Sequence, residues 1–382
     1  MMDYLARAKQ LEGRFSEIRK DLHRHPELGN REFYTSDRIA NIMKDLGYDV
    51  RRILDTAVVA TLHCSDSGKK VALRADMDAL PVTEETGCGF ESENPGVMHA
   101  CGHDIHMTSA IGAAMLLAEN RAEIDGDVVF LFQPNEEISG GALRMIEQGA
   151  VDGVGAVFGG HVSPDLPVGK VGVKYGKFYA ASSVFKVRVF GRSCHGATPE
   201  KGVNALMVAA ETALKLSTIK PASGERCVIS TCMLNSGNVC NVIPGEAYIE
   251  GMIRTFGKDN KREVEQKLRD TVNEICTKYG ATAETEIIGT YDGIVNTDNE
   301  TAIMEKSARQ VLGDEDVVVL EEPTLVTEDF GFFTEACSGS FCHVGAGCTE
   351  SLHSSHFIPD IGAAVTAAAV YASTLDNYLK ST

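Results

Sequence analysis

Cys101 and His103 stand two residues apart in His99-Ala100-Cys101-Gly102-His103-Asp104-Ile105-His106, which packs three histidines, a thiol and a carboxylate into one short stretch. A thiolate and a neutral imidazole are preferred zinc ligands, and imidazole also serves other divalent transition metals. Gly102 lets the chain bend between them, because a residue without Cβ reaches dihedrals others avoid. Taken alone, a Cys-x-His pair reads as a small apolar filler beside solvated histidines. The same residue types recur elsewhere, however. Asp76 and Asp78 close Arg74-Ala75-Asp76-Met77-Asp78-Ala79-Leu80-Pro81, and Glu136-Glu137 follow Phe132-Gln133-Pro134-Asn135. His161 ends Ala156-Val157-Phe158-Gly159-Gly160, and His353 and His356 lie late in the chain.

The acids after Arg74, the Glu136-Glu137 pair and His161 each follow a short apolar run, so the elements that carry them are strands, while the Cys101–His103 stretch opens a buried helix. Val58 to His63 and Lys70 to Arg74 read as strands joined by a Ser/Gly turn. Asp127 to Gln133 is a continuous apolar run, predicting a strand buried on both faces, parallel and central. In α/β folds the carboxyl ends of such strands hold the chemistry. Two adjacent acids there are costly unless a positive group faces them. Their side chains diverge, so one can ligate metal while the other holds the attacking water. Asp78 can instead orient a ligand histidine by accepting its second N–H.

Helical spacing predicts an amphipathic helix over residues 2–22, a second over Thr35 to Leu46, a buried one over Thr108 to Glu119, and an Ala-rich one over Ile361 to Leu379. His23 and His25 fall at a helix end near Pro26 and Gly29 and read as structural. Between residues 180 and 290 the texture changes. Strands over Ser182 to Phe190, Cys227 to Asn235, Ala247 to Phe256 and Thr282 to Gly289 enclose helices over Asn204 to Leu216 and Lys258 to Tyr279. That β-α-β-β-α-β order predicts an inserted ferredoxin-like domain at 180–290 within a catalytic α/β domain at 1–179 and 291–382.

The bulk properties narrow the function classes. A chain of 382 residues exceeds what one core fills, so two domains are expected. A net charge of −18 argues against nucleic acid, which demands a basic stripe, and against an anionic membrane surface. No apolar run is long enough to span a bilayer, and the N-terminus lacks the apolar core of a signal peptide. Eleven cysteines without framework spacing read as reduced thiols, which places the chain in the cytoplasm.

Thiol, histidines and paired glutamates at successive strand ends make a two-metal hydrolase inventory. Asp21-Leu22-His23-x-x-Pro26-Glu27-Leu28, the Arg74–Pro81 stretch, Met98-His99-Ala100-Cys101-Gly102-His103-Asp104, Phe132-Gln133-Pro134-x-Glu136-Glu137, Gly160-His161-Val162 and Leu352-His353-Ser354 run in order through almost the whole chain. In these motifs the chain resembles the metallopeptidase family of aminoacylases, hippurate hydrolases, indoleacetyl-amino-acid hydrolases and N-acetyl-diaminopimelate deacetylases. The resemblance implies a three-layer αβα catalytic domain with a dinuclear metal centre and an inserted lid and dimerisation domain. It implies Cys101, His103, Glu137, His161 and His353 as ligands of two divalent ions (Mn, Zn, Co or Ni), and Glu136 as general base and acid. Asp78 then lies behind the ligands. The Leu-His-Ser pattern selects His353 over His356, although Ser355 stands where relatives often carry Pro. His195 matches a lid histidine that polarises the scissile carbonyl, and Asn241 and Arg254 match lid residues that hold the substrate carboxylate. The implied reaction is hydrolysis of N-acyl amino acids by a homodimer or homotetramer. N-acetyl-diaminopimelate or aminobenzoyl-glutamate amidase activity is the alternative, and an inactive metal-binding scaffold the non-enzymatic one. A two-metal phosphohydrolase is disfavoured by the thiolate and the lack of a basic phosphate cradle.

Overall fold

The computed structural model describes residues 2–381. The chain divides into two units: Met1–Phe178 with Val295–Glu322 and Asp329–Thr382, and Tyr179–Ile294 with Pro323–Glu328. In chain order the first unit begins with α1 (Tyr4–Gln10), α2 (Glu12–Arg24), α3 (Phe33–Asp45), β1 (Asp49–Ile53), β2 (Ala57–His63) and β3 (Lys70–Asp76). It continues through α4 (His103–Glu119), β4 (Asp127–Gln133), α5 (Ala142–Glu147), β5 (Ala156–Ser163), β6 (Val171–Val173) and β7 (Gly176–Lys177). The second unit holds β8 (Ala181–Phe190), β9 (Cys194–His195), α6 (Ala205–Leu216), β10 (Val228–Ser236), β11 (Val242–Ile243), β12 (Glu246–Thr255), α7 (Lys258–Tyr279) and β13 (Thr282–Gly289). The chain returns to the first unit with β14 (Val295–Asn296), α8 (Asp298–Leu312), β15 (Val317–Val319), α9 (Gly331–Ala336), β16 (Ser338–Gly345) and α10 (Ile361–Ser381).

The first unit is built on an eight-stranded mixed sheet in the order β1-β2-β4-β3-β5-β16-β6-β15. β4, β3, β5 and β16 are mutually parallel neighbours, so their carboxyl ends share one edge. The apolar run of β4 is buried as expected, but it pairs antiparallel with β2 and parallel with β3. A run buried on both faces reports its depth in the sheet, not the direction of its partners. β1 went unread because Asp49-Val50-Arg51-Arg52-Ile53 is a largely exposed polar edge strand. The helix expected over residues 2–22 tightens at Leu11, whose N–H is shared between the carbonyls of Arg7 and Ala8, and resumes as α2.

α4 is buried almost throughout and packs against α10, whose alanines permit close approach; Gly112 has Ala368 and Phe15 where its own Cβ would stand. The core of this unit gathers Phe15, Ile18, Leu73, Ile111, Phe130, Phe132 and Leu375. The second unit is a four-stranded antiparallel sheet, β10-β12-β8-β13, with α6 and α7 packed on it over Phe185, Val187, Val208, Ile249, Leu268 and Val272. This is the ferredoxin-like order that the alternating strand and helix patterns imply. No helix among the described residues is long and apolar enough to cross a membrane.

Candidate metal and active site

The chemistry-bearing residues of the first unit collect at the carboxyl edge of β4, β3 and β5. α4 begins at His103, earlier than the apolar spacing suggested, because Gly102 turns the chain with a left-handed φ of 86° and its first turn is polar. A Cβ on Gly102 would stand 2.6 Å from Val162 Cγ2, so the bend admits no larger residue without a shift. This turn sets Cys101 Sγ 3.3 Å from His161 Nε2 on β5. Glu137, in the loop after β4, places Oε1 3.7 Å from His103 Nε2 and 3.6 Å from His353 Nε2. His353 itself has φ 67°, and its N–H donates to the Ala100 carbonyl at 2.8 Å, which ties it to the Cys101 turn.

The ligand atoms of Cys101, His103 and His161 lie within 4.8 Å of one another, as do those of Cys101, Glu137 and His353 and those of His103, Glu136 and Glu137. The structure thus brings together Cys101, His103, Glu136, Glu137, His161 and His353. His356 is elsewhere: its Nδ1 meets Ser355 Oγ and lies 4.0 Å from Glu85.

The protonation pattern of the cluster suits cations. His103 Nδ1 bonds the Asp78 carbonyl at 2.8 Å and His161 Nδ1 the Val162 carbonyl at 2.8 Å. A carbonyl only accepts, so both rings donate from Nδ1 and turn Nε2 into the cluster, and burial keeps His161 neutral with a bare Nε2. His103 Nε2 and Glu137 Oε1 are buried without a hydrogen-bond partner among the described residues. Orphaned buried polar atoms of this kind are costly and call for a further group. Burial pushes the Cys101 thiol well above its ordinary value, with Glu137 and Glu136 adding to it. Burial also opposes charge on His103, yet Asp76 and the neighbouring carboxylates outweigh it and raise that imidazole to about 10. A set of soft and borderline donors that must shed protons together fits divalent metal ions.

Asp78 does its work differently from the sequence expectation. Its carbonyl holds His103 Nδ1 at 2.8 Å, with a carboxylate oxygen 3.6 Å from the same nitrogen. The carboxylate instead accepts from the consecutive amides of Glu136 (2.9 Å) and Glu137 (3.0 Å). The loop after β3 runs beside the loop after β4, which puts backbone donors within its reach.

Several residues of the sequence motifs, Asp76 among them, support the cluster through contacts that spacing did not specify. Asp76 Oδ1 meets His106 Nδ1 at 2.6 Å, while His106 Nε2 accepts from the Val162 amide at 2.9 Å. Both nitrogens of His106 are therefore engaged. Behind them Arg74 donates to Asp76 (2.7 Å), Gln133 (2.8 Å) and Asp329 (2.9 Å). His23, read as structural, is buried with Nδ1 on Asp104 and Nε2 on Glu84, both at 3.0 Å, and Arg19 donates to Asp104 at 2.9 Å. Burial disfavours its charge, but the two carboxylates win and raise it to about 9.

In the second unit His195 on β9 is exposed, and its Nδ1 accepts from the Ala197 amide at 3.0 Å. Asn241 adjoins it: its carbonyl accepts from the Gly196 amide at 2.8 Å, and Val242 pairs with His195 across β9 and β11. Arg254 lies on β12 opposite Ser182 of β8 and donates to that hydroxyl.

Residues 72–377 match the family model described as Peptidase family M20/M25/M40. The chain is 36% identical to the N-acetylcysteine deacetylase of Bacillus subtilis, with 95% of this chain and 96% of that protein covered. It is 32% identical to the N-acetyldiaminopimelate deacetylase of Lactiplantibacillus plantarum, over 91% of this chain and 92% of that one. Among solved structures it resembles the Bacillus subtilis YXEP protein, described as a dinuclear metal-binding peptidase, with a TM-score of 0.89, 33% identity, and 98% and 100% of the two chains covered. Motif order, parallel strand ends and overall likeness agree: the chain belongs to peptidase family M20/M25/M40 and is an amide-cleaving hydrolase with a two-domain α/β fold.

Proposed function

We propose that this enzyme hydrolyses N-acyl amino acids, R–CO–NH–CHR′–COO⁻, to a carboxylic acid and a free amino acid. The observation that carries the reading is the convergence of Cys101, His103, Glu137, His161 and His353, with two imidazole Nε2 atoms turned inward and an orphaned carboxylate oxygen, beside Glu136. Those five residues would hold two divalent ions, which would supply Lewis acidity and lower the pKa of a bound water. Glu136 takes the proton from the attacking water as its oxygen adds to the acyl carbon. The C–N bond then breaks and Glu136 returns the proton to the leaving amine. His195 donates a hydrogen bond to the acyl oxygen as negative charge develops there. Arg254 and Asn241 receive the substrate carboxylate, for which a guanidinium fork is the matching donor.

The relatives named as deacetylases of N-acetylcysteine and N-acetyldiaminopimelate make short acyl groups the first to try. The thiolate favours zinc, while the imidazoles and carboxylate also admit manganese, cobalt or nickel. Assembly as a dimer or tetramer through the inserted domain is supported by exposed Leu206, Met207 and Leu214 on α6 and exposed Met233 and Leu234 on the edge strand β10. Eleven free thiols support a reducing, cytoplasmic setting.

The test is release of free amino acid from acetyl, benzoyl, indoleacetyl and long-chain acyl donors crossed with several amino acids. Metal-stripped protein is reloaded with Mn, Zn, Co or Ni for each arm. Turnover that appears only on reloading supports the reading. Silence across the panel with two ions bound per chain contradicts it.

A further inference from the structure

Three consecutive backbone amides, Asn135, Glu136 and Glu137, are gripped by two buried carboxylates. Asp78 takes the second and third of these. The first goes to Glu32, whose Oε1 accepts from Asn135 N at 2.9 Å and from Asn30 N at 3.0 Å, while its Oε2 accepts from Thr56 Oγ1 at 2.9 Å. Glu32 stands just before α3, more than a hundred residues from the loop it holds, and is fully buried. Asn135 has φ 62°, a left-handed conformation uncommon for a non-glycine residue. Its side chain is closed onto Ser139 Oγ at 2.6 Å and fills the place where Gly29 has no Cβ. The residue so constrained immediately precedes Glu136, whose carboxylate direction depends on where that turn points.

From this geometry we infer that Glu32 is a positioning residue for the reaction: through Asn135 it sets the loop that aims Glu136 and Glu137. The inference rests on Glu136 being the base. Glu32 is an expensive residue to keep if filling space were its whole role. Burial, with Asp78 adding repulsion, raises its carboxyl to about 7. Strained backbone persists where surrounding structure over-determines it, and such places cluster at functional sites. A carboxylate oxygen offers two lone pairs at once, which lets one atom serve Asn30 and Asn135 together. Glutamine preserves that acceptor and can present its amide to the Thr56 hydroxyl, whereas alanine removes the grip.

Steady-state kinetics on an N-acyl amino acid, metal content and melting temperature are measured for wild type, Glu32→Ala, Glu32→Gln, Glu32→Asp, Thr56→Val and Glu136→Gln. Glu32→Ala is expected to lose about 30-fold in kcat (about 2 kcal/mol at the barrier), with KM within about twofold and two ions still bound. Glu32→Gln should stay within about threefold of wild type. Glu32→Asp keeps the charge but retracts the acceptor, so its kcat should fall below that of Glu32→Gln. Thr56→Val removes a different bond to the same carboxylate and should lower the melting temperature with kcat within about twofold. Wild-type kcat in Glu32→Ala, an equal loss in Glu32→Gln, or a matching loss in Thr56→Val overturns the inference. If Glu32→Ala does not fold, Glu32→Asp with wild-type kcat overturns it. The Glu136→Gln arm separates the two failures. Turnover there removes the base assignment itself, while an inert Glu136→Gln beside an unaffected Glu32→Ala removes only the role of Glu32.

Discussion

Replacing Asp329 with alanine should destabilise the larger unit severely, by an amount the structure lets one work out. Asp329 is fully buried and accepts from Arg74 Nη2 (2.9 Å), Gln133 Nε2 (2.8 Å), Gly141 N (2.8 Å) and Ala142 N (3.0 Å). Hydrogen bonds to a charged group are worth about 1.5–3 kcal/mol each, but simple summation overshoots when neighbours relax. Arg74 is not stranded by the change, because Asp76 at 2.7 Å and Gln133 at 2.8 Å still receive it. Removing one partner of a buried ionic network costs about 3–5 kcal/mol, so about 4 kcal/mol is the reasoned value. For a unit of this size that is a fall in Tm of about 8–16 °C. Asp329→Asn keeps the shape and one acceptor while losing the charge facing Arg74, and should fall between alanine and wild type. The assay is calorimetry in chelator, so that bound metal does not mask the loss, following the transition of the larger unit. A drop under about 3 °C for Asp329→Ala would refute the reasoning, since it would mean that the buried donors find water or other partners at little cost.

Stability should also depend on pH through His23. Its folded pKa of about 9 lies above the ordinary 6.5, so its contribution is complete below pH 6.5 and lost as pH rises through 9. The lost amount is about 3 kcal/mol. Melting curves across that window should fall more steeply for wild type than for His23→Gln, and parallel curves would contradict the assignment. His353→Ala should bind one divalent ion less tightly, by about tenfold or more, in metal titrations, whereas His356→Ala should titrate like wild type, because His353 approaches Glu137 while His356 lies by Glu85. Gly102→Ala combines a left-handed residue, costing about 1–2 kcal/mol, with a Cβ 2.6 Å from Val162. It should lower both melting temperature and metal affinity, and an unchanged affinity would show that the turn adapts without moving His103.

The candidate site residues stood out in the sequence because several of them close apolar strands, while their proposed roles came from the family motifs. Cys101, Glu136 and Glu137 come from loops or turns, His103 from the first residue of α4 and His161 from β5, all at the edge where β3, β4 and β5 run parallel. The inserted ferredoxin-like order was legible because its strands alternate cleanly, as in the burial pattern of β12. What stayed hidden is what the sequence keeps far apart. Glu32 meets Asn135, and Asp329 meets Arg74 and Gln133, only because α3, β3, β4 and the segment before α9 converge in space. No local pattern distinguishes those carboxylates from solvated ones. The role of Asp78 was half legible. Its place behind the ligands followed from the motif, but the choice between its carbonyl and its carboxylate depends on loop path, which side-chain spacing does not encode. The start of α4 was missed for a related reason: hydrophobic periodicity cannot see a helical turn made of His103, Asp104 and His106.

The most direct test of the central claim is the turnover number of Glu136→Gln on an N-acyl amino acid that wild type cleaves, with bound metal counted in the same sample. If Glu136 carries the proton between water and leaving amine, kcat falls by about 10²–10⁴-fold while two divalent ions per chain remain. Near-native turnover with both ions bound would contradict the account.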